Sequence, residues 1–440
     1  MRKEVQWLYR ELPQLEAQGV LTSGTVARLQ AYYGPAVAAR PRWLAVVIFG
    51  VLGALLIGAG IILLLGHNWD LLTRPTRAVL SFLPLLLAQG LSGWVLIRRQ
   101  QSLAWREGAA ALQFLMIGAG ISLVAQTYNI SGDLPRFLLT WAILGLPLAY
   151  LLDAVVPALL YLWGITEWAC HLRITDDCNA GYWLLALLLL PLLARWLRAG
   201  RYQVRPTLLF WFLCVSLTVA AGTTIERVLP GLWIILYSGL FALLFLAGEF
   251  WFREADGFWN RPLRHFGAGG GLVLTFLLTF EWPWKEIGWY CWHWERFHGE
   301  WWRVMPDAVL GSMVPIAAIV LLVTTVRRRA SLGLLLGIAP ILAALGFSLA
   351  TFEFSFVAAW IFDIYLLVTS IWLLVTGIRS GRQGQMNVGL LALMALLVAR
   401  FFDCDLSFLL RGLLFIALGI AFLVANLVML RRKGANHEQA

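Results

Sequence analysis

The chain has 440 residues, of which 60% are hydrophobic and 13% charged, with a formal net charge of +10. Soluble domains carry about 25% charged residues, so a water-covered globule is excluded and hydrocarbon is the solvent for most of this chain. The positive charge sits in short loops between apolar runs, where it reports topology and not a nucleic-acid surface.

Residues 1–40 read as a small polar helical hairpin. Val5, Leu8, Leu12 and Leu15 recur at helical spacing, Gly19 breaks the pattern, and Thr22 or Ser23 caps a second helix carrying Val26, Leu29 and Tyr32. No cleavable signal peptide is visible, because the first apolar run begins near Trp43. From there, runs long enough to cross a bilayer recur at 43–66, 78–97, 107–127, 136–152, 155–172, 181–197, 206–226, 230–252, 263–280, 306–326, 331–350, 355–377, 386–402 and 408–430. They are Leu-rich without period-two alternation, so backbone groups deprived of water close their hydrogen bonds as helices and not as a barrel. The expectation is an all-α polytopic bundle of about 14 spans. It divides into the hairpin at 1–40, a transmembrane domain at 41–430 and a tail at 431–440.

The basic residues test the count. Arg2, Lys3, Arg10, Arg28, Arg40 and Arg42 precede the first span. Arg98, Arg99 and Arg106 follow, then Arg195, Arg198, Arg201 and Arg205, then Arg253, Arg261 and Arg264. Arg327, Arg328 and Arg329 come next, then Arg379 and Arg382, and Arg431, Arg432 and Lys433. Threaded from a cytoplasmic N-terminus, 24 of the 34 basic residues fall on one side, the asymmetry of the positive-inside rule. Both termini are therefore expected in the cytoplasm of a bacterial inner membrane. Losing a pair of spans leaves the test unchanged, so 12 spans also satisfy it.

On the opposite face, residues 281–301 hold six Trp, read as an interfacial collar or lid, with a sugar- or lipid-headgroup platform as the alternative. LIGAGI at 56–61 returns as MIGAGI at 116–121, either as small-residue packing faces or as an internal repeat. The glycines of 267–271 favour helix packing or a helix break over phosphate binding.

Several features in order carry a family likeness: Gly19-Val20-Leu21-Thr22 with Tyr33-Gly34, Gly58-Ala59-Gly60-Ile61, His67-Asn68-Trp69 and Arg106-Glu107-Gly108. After them come Gln126-Thr127-Tyr128-Asn129 with Gly132-Asp133, then Trp141 and Pro147-Leu148-Ala149-Tyr150. Over this stretch, to about residue 160, the chain resembles an uncharacterised bacterial membrane family, domain of unknown function 2157. Asn387, Gly389, Arg400-Phe401-Phe402-Asp403 and Arg411 resemble the end of such proteins. The resemblance implies an inner-membrane location and brings no catalytic residues.

Ionisable groups at membrane depth cost several kcal/mol and are site candidates by default. The candidates are Glu167, Asp363, Arg400, Asp403, Arg411, Gln126, Asn129 and Asp133, with Asp363 near the middle of its span and the others toward the outer half. Arg400, Asp403 and Arg411 read either as a salt-bridged clasp or as the lining of an outward-facing polar cavity. Glu226-Arg227 reads as a self-neutralising pair. Asp363 and Glu167, without opposite charges nearby in sequence, each need a partner, a proton or water. They read as proton-coupling acids or as neutral acids joining helices. Glu107, Asp153 and Glu249 sit near cytoplasmic helix ends, where they are expected to reach water.

Of the five Cys, Cys178, Cys291 and Cys404 lie in outer segments, Cys170 near that face and Cys214 in mid-membrane. A disulfide is permitted there but no pair is selected. Cys291, His293 and His298 lack a completing cluster, so no metal is expected. No nucleotide, hydrolase or protease motif appears, and no cofactor is expected.

Three functions fit. The leading one is a transporter, flippase or lipid-binding protein with an outward-facing polar cavity. The alternative is a non-catalytic scaffold or subunit of an envelope complex that docks a protein partner through the 1–40 hairpin. The third is an enzyme acting on lipid-linked substrates, with Asp70, Asp133, Glu167 and Asp363 gathered in one lateral opening. An enzyme is the least favoured of the three. The lipid bilayer is a partner in every reading and nucleic acid in none.

Overall fold

The computed structural model describes residues 72–175, 179–200, 202–225, 230–252, 257–285, 287, 301–327 and 332–403, with scattered positions before 64 and after 412. Of 301–304, 332–334 and 402–403 it describes the backbone only.

Every described element is a helix. In chain order they are α1 (Arg74–Arg98), α2 (Leu103–Tyr128), α3 (Leu134–Leu151), α4 (Val155–Ile174), α5 (Gly181–Leu187), α6 (Leu190–Ala199), α7 (Val204–Thr224) and α8 (Leu232–Trp251). Then follow α9 (Pro262–Leu277), α10 (Trp282–Lys285), α11 (Trp301–Arg327), α12 (Leu332–Gly337), α13 (Ala339–Thr351), α14 (Ser355–Ser380) and α15 (Gln383–Asp403). Taking α5 and α6 together as the stretch Gly181–Ala199, ten membrane-length apolar helices occur among the described residues, with Leu335–Thr351, from α12 into α13, as a shorter apolar stretch. The polytopic helical bundle read from the apolar runs is therefore the fold. The predicted spans at 43–66 and 408–430 lie almost wholly outside the described residues.

Two predicted spans are each built as two helices. The 181–197 run breaks between α5 and α6 ahead of Pro191, and the 331–350 run breaks at Ile338 ahead of Pro340. Proline has no N–H to continue the ladder and its ring crowds the preceding turn. Carbonyls freed near such a break need new donors in a medium without water. In both cases a tyrosine from another helix donates to a carbonyl beside the break, where Leu185 O also accepts from Leu188 N–H. The Tyr161 hydroxyl donates to the Leu185 carbonyl at 2.8 Å and the Tyr365 hydroxyl to the Leu335 carbonyl at 2.6 Å.

The chain divides into two compact units, residues 1–131 with 147–157 and residues 132–146 with 158–440. In the first unit α1 packs along α2. The same unit includes a turn at Gly19. Gly19 takes a left-handed φ of 73° while Val20 N–H donates to Leu15 O at 2.9 Å and Gly19 N–H to Glu16 O at 3.0 Å, a Schellman helix end. Thr22 then opens the next turn, its carbonyl accepting from Thr25 and Val26 N–H.

In the second unit α8 is the axis, contacting α7, α9, α11, α12 and α13. It is apolar nearly all round, the pattern of a helix buried on every side, and it is the most buried of the membrane-length helices. Its approach to α9 depends on the glycine run: a Cβ on Gly267 would come within 2.6 Å of the Phe241 carbonyl oxygen. Thus 267–271 serves helix packing. The α14–α15 hairpin uses the same device. A Cβ on Gly389 would lie 2.7 Å from Leu374 N and 2.8 Å from Ser370 O. Backbone cannot yield as a side-chain tip can, so Gly389→Ala should destabilise this hairpin by about 1–3 kcal/mol. The check is thermal unfolding of the purified protein, with the exposed, contact-free Gly384→Ala as the control that stays close to wild type.

Candidate functional site

Two of the charged candidates pair across a helix hairpin. Asp363 on α14 meets Arg400 on α15, with Arg400 Nε and Nη2 both 3.0 Å from Asp363 Oδ1. The same guanidinium donates to the Thr279 carbonyl just beyond the C-terminus of α9 and lies 5.8 Å from the Phe280 ring centroid. Trp284, fully buried, donates its indole N–H to the neighbouring Leu278 carbonyl at 2.9 Å and packs on Phe362. Arg400 thus joins a carboxylate to the negative end of a helix dipole. Asp363 has the partner that its place in the sequence did not reveal. Both side chains keep some access, 21% for Asp363 and 29% for Arg400.

Glu167 stands apart, its carboxylate 3.5 Å from His171 one turn along α4. Asp133 caps the start of α3 by accepting from Arg136 N–H at 2.8 Å and pairs with the exposed Arg136 guanidinium. Gln126 is exposed, and Asn129 ends α2 in a left-handed conformation with φ 50°. The structure therefore brings Asp363 and Arg400 together and joins neither to Glu167. Arg411, Glu226, Arg227, Asp70 and the side chain of Asp403 lie outside the described residues. So do Cys178, Cys291, Cys404, His293 and His298. Cys170 and Cys214 are free thiols.

At the helix ends near the Arg-bearing loops one expectation is corrected. Glu107 does not reach water: it is 1% exposed. Its two carboxylate oxygens accept from Val155 N–H and Val156 N–H, each at 2.9 Å, at the first turn of α4. Four N–H groups open every helix without partners, and a carboxylate there satisfies them and complements the dipole. The adjacent Arg106 holds the same turn. It donates to the carbonyls of Leu152 and Asp153 and pairs with Asp153 Oδ2 at 2.8 Å. Asp153 itself sits at φ 46°. Two neighbouring residues of α2 therefore grip the 152–156 turn. Glu249, the third acid of that group, pairs with Arg264 on α9.

Sequence reasoning passed over two features. Asp307, on α11, is 1% exposed. It was hidden by its place at the start of an apolar run. The other is a groove of about 350 Å³ in the first unit, lined by Phe49, Gly53, Ile57, Leu91, Trp105 and Leu112, with Gly50, Ala104, Gly108 and Ala109 at its floor. The spacing explains it. Phe49, Gly53 and Ile57 recur every fourth residue, as do Trp105 and Ala109, with Leu112 following, so each set lies on one helix face. The glycines remove bulk between the faces. At one end Trp94 and Trp105 meet edge to face with centroids 5.3 Å apart, and the Arg99 guanidinium lies 5.9 Å from the Trp94 centroid. Arg98 and Arg99 are exposed and pair with no carboxylate among the described residues. The groove's volume lies in the range of ligand pockets, about 300–1,000 Å³, and its lining is suited to a hydrocarbon chain.

No His, Cys, Asp or Glu cluster able to hold a metal ion occurs among the described residues. No curated protein and no solved structure matches the chain. Residues 13–158, which include the groove and the grip on the 152–156 turn, match the family described as Predicted membrane protein (DUF2157), the one the sequence resembles from its first hairpin onward.

Proposed function

We propose that this multi-pass membrane protein binds lipid, and that the groove between Phe49, Gly53, Trp105 and Leu112 holds an acyl chain. Of the transport, flippase and lipid-binding roles compatible with the sequence, the groove supports lipid binding, and it is the single observation that carries the reading. It is apolar along its length and has indole rings and arginines at one end, the arrangement that suits a chain at membrane depth with its headgroup at the interface. Its position within residues 13–158 adds to the case, since that is the part shared with the family. The acid–base pair Asp363–Arg400 serves in this reading as a fastener between α14, α15 and the end of α9, not as a coupling site.

The orientation proposed from the charge pattern, with loops bearing Arg98, Arg261 and Arg382 in the cytoplasm of an inner membrane, is supported within the second unit. Arg261 and Arg382 both lie close enough to act electrostatically on Arg264, so two separate basic clusters share one end of that unit. On this orientation the indole-rimmed end of the groove faces the cytoplasmic leaflet.

The test fills the groove. A Cβ at Gly53 meets nothing within 4 Å, so Gly53→Leu inserts a side chain without disturbing the backbone. Native mass spectrometry of the protein released from membranes into mild detergent should show retained phospholipid falling about tenfold, the effect of ~1.4 kcal/mol. Gly90→Leu, at an exposed and equally open position on α1, should retain lipid as wild type does. Equal retention by Gly53→Leu and wild type would contradict the reading.

A further inference from the structure

The break between α12 and α13 opens onto a second, much smaller cavity, of about 10 Å³, lined by Ser238, Gly267, Thr275, Leu336, Ala339 and Tyr365 among others. Its polar inventory is one-sided. Tyr365 directs its hydroxyl proton to Leu335 O at 2.6 Å and Thr275 directs its own to Gly271 O at 2.7 Å. A hydroxyl has one proton and two lone pairs, so both oxygens are left as acceptors, with the Thr369 hydroxyl facing that of Tyr365. Ser238 is 2% exposed and its Oγ has no hydrogen-bond partner among the described residues. A buried hydroxyl left unmatched costs about 1–3 kcal/mol.

Three hydroxyl residues therefore surround a space that, at about 10 Å³, is close to the roughly 10–15 Å³ needed by one water molecule. Two of their oxygens can only accept, and the third lacks a partner. A guest that donates protons or carries positive charge would complete all three. The location agrees with this chemistry, because interrupted helices are where membrane proteins tolerate polar backbone, and only where it lines a protein-enclosed space. Gly267, which also lines the cavity, lets α9 approach the Phe241 and Phe245 backbone closely and so brings Thr275 and Ser238 to one space.

We propose that this cavity is a binding site for one small electropositive guest, a water molecule or a monovalent cation, held by Ser238, Thr275 and Tyr365 at the broken helix. The site is independent of the acyl-chain groove. Its test is the melting temperature of the full-length purified protein and of Ser238→Ala, each in sodium chloride and in choline chloride.

If the cavity is dry, deleting an unmatched buried hydroxyl removes a cost, and the variant melts at or above the wild-type temperature. If a guest is bound, the variant loses one of its partners and melts about 2–4 °C lower. A wild-type melting temperature that is higher in sodium, with the difference lost in Ser238→Ala, identifies the guest as the cation. A lower-melting variant without salt dependence identifies it as water. An unchanged or raised melting temperature in both salts overturns the proposal. So does a high-resolution structure with no density within hydrogen-bond reach of Ser238 Oγ.

Discussion

Glu107→Ala should destabilise the protein by about 3 kcal/mol or more, the loss of two hydrogen bonds to a buried carboxylate. The carboxylate accepts from both Val155 and Val156 N–H while almost wholly enclosed. Alanine leaves two donors at the start of α4 without acceptors, in a place that water does not fill, and each hydrogen bond to a charged group is worth about 1.5–3 kcal/mol. Glu107→Gln keeps one oxygen able to accept and loses the charge at the helix N-terminus, so it should cost roughly half as much. The order wild type, Gln, Ala in thermal unfolding and in membrane abundance is the expected result. An alanine variant as stable as wild type would show that the 152–156 turn does not depend on this grip.

Arg400→Leu should be the second large loss, about 3 kcal/mol. It strands the Asp363 carboxylate and also uncovers the Thr279 carbonyl. The loss sits at the lower end for a buried pair because both side chains keep partial access, which lets solvent screen the exposed charge. Asp363→Leu should cost less, since Arg400 keeps its contacts with Thr279 and Phe280. The double variant should be more stable than Arg400→Leu alone, with a coupling of about 0.5–3 kcal/mol. If Asp363 were a coupling acid instead, Asp363→Asn would abolish a cellular phenotype at unchanged abundance. The fastener account expects phenotype and abundance to fall together.

These two sites show where sequence reading succeeded and where it could not. The helices were legible because lipid forces every apolar run to bond internally, and α1 to α4 fall within a few residues of the predicted runs. The breaks in the 181–197 and 331–350 runs were not foreseen, though Pro191 and Pro340 stood in view. Pro84, inside the unbroken α1, shows why: proline alone does not decide whether a membrane helix parts. What accompanies each break is a tyrosine from a distant helix, Tyr161 or Tyr365, and sequence spacing carries no trace of it.

The candidate residues were legible as types and not as partners. The sequence puts Asp363 near mid-span and Arg400 at the outer end of another span, 37 residues on, so their pairing needs the fold. Glu107 was read as water-facing because it lies near a helix end. A helix end can equally turn a carboxylate inward, toward another helix's unpaired N–H groups, as it does here. The groove was the least legible feature. Its lining is Phe, Leu, Ile, Trp and Gly, residues that elsewhere in the chain simply face lipid or pack, and only their juxtaposition makes a binding surface.

Photo-crosslinking can show directly whether the groove of the first unit holds an acyl chain. The full-length protein, reconstituted in vesicles containing a phospholipid with a diazirine on one acyl chain, is irradiated, digested and mapped by mass spectrometry. Lipid-facing helices will be labelled at random, so Gly53→Leu provides the comparison. Label should concentrate on peptides bearing Phe49 to Ile57 and Trp105 to Leu112, and Gly53→Leu should remove this excess while leaving background labelling on other helices unchanged. Label spread evenly over the lipid-facing helices, and insensitive to Gly53→Leu, would contradict acyl-chain binding in the groove.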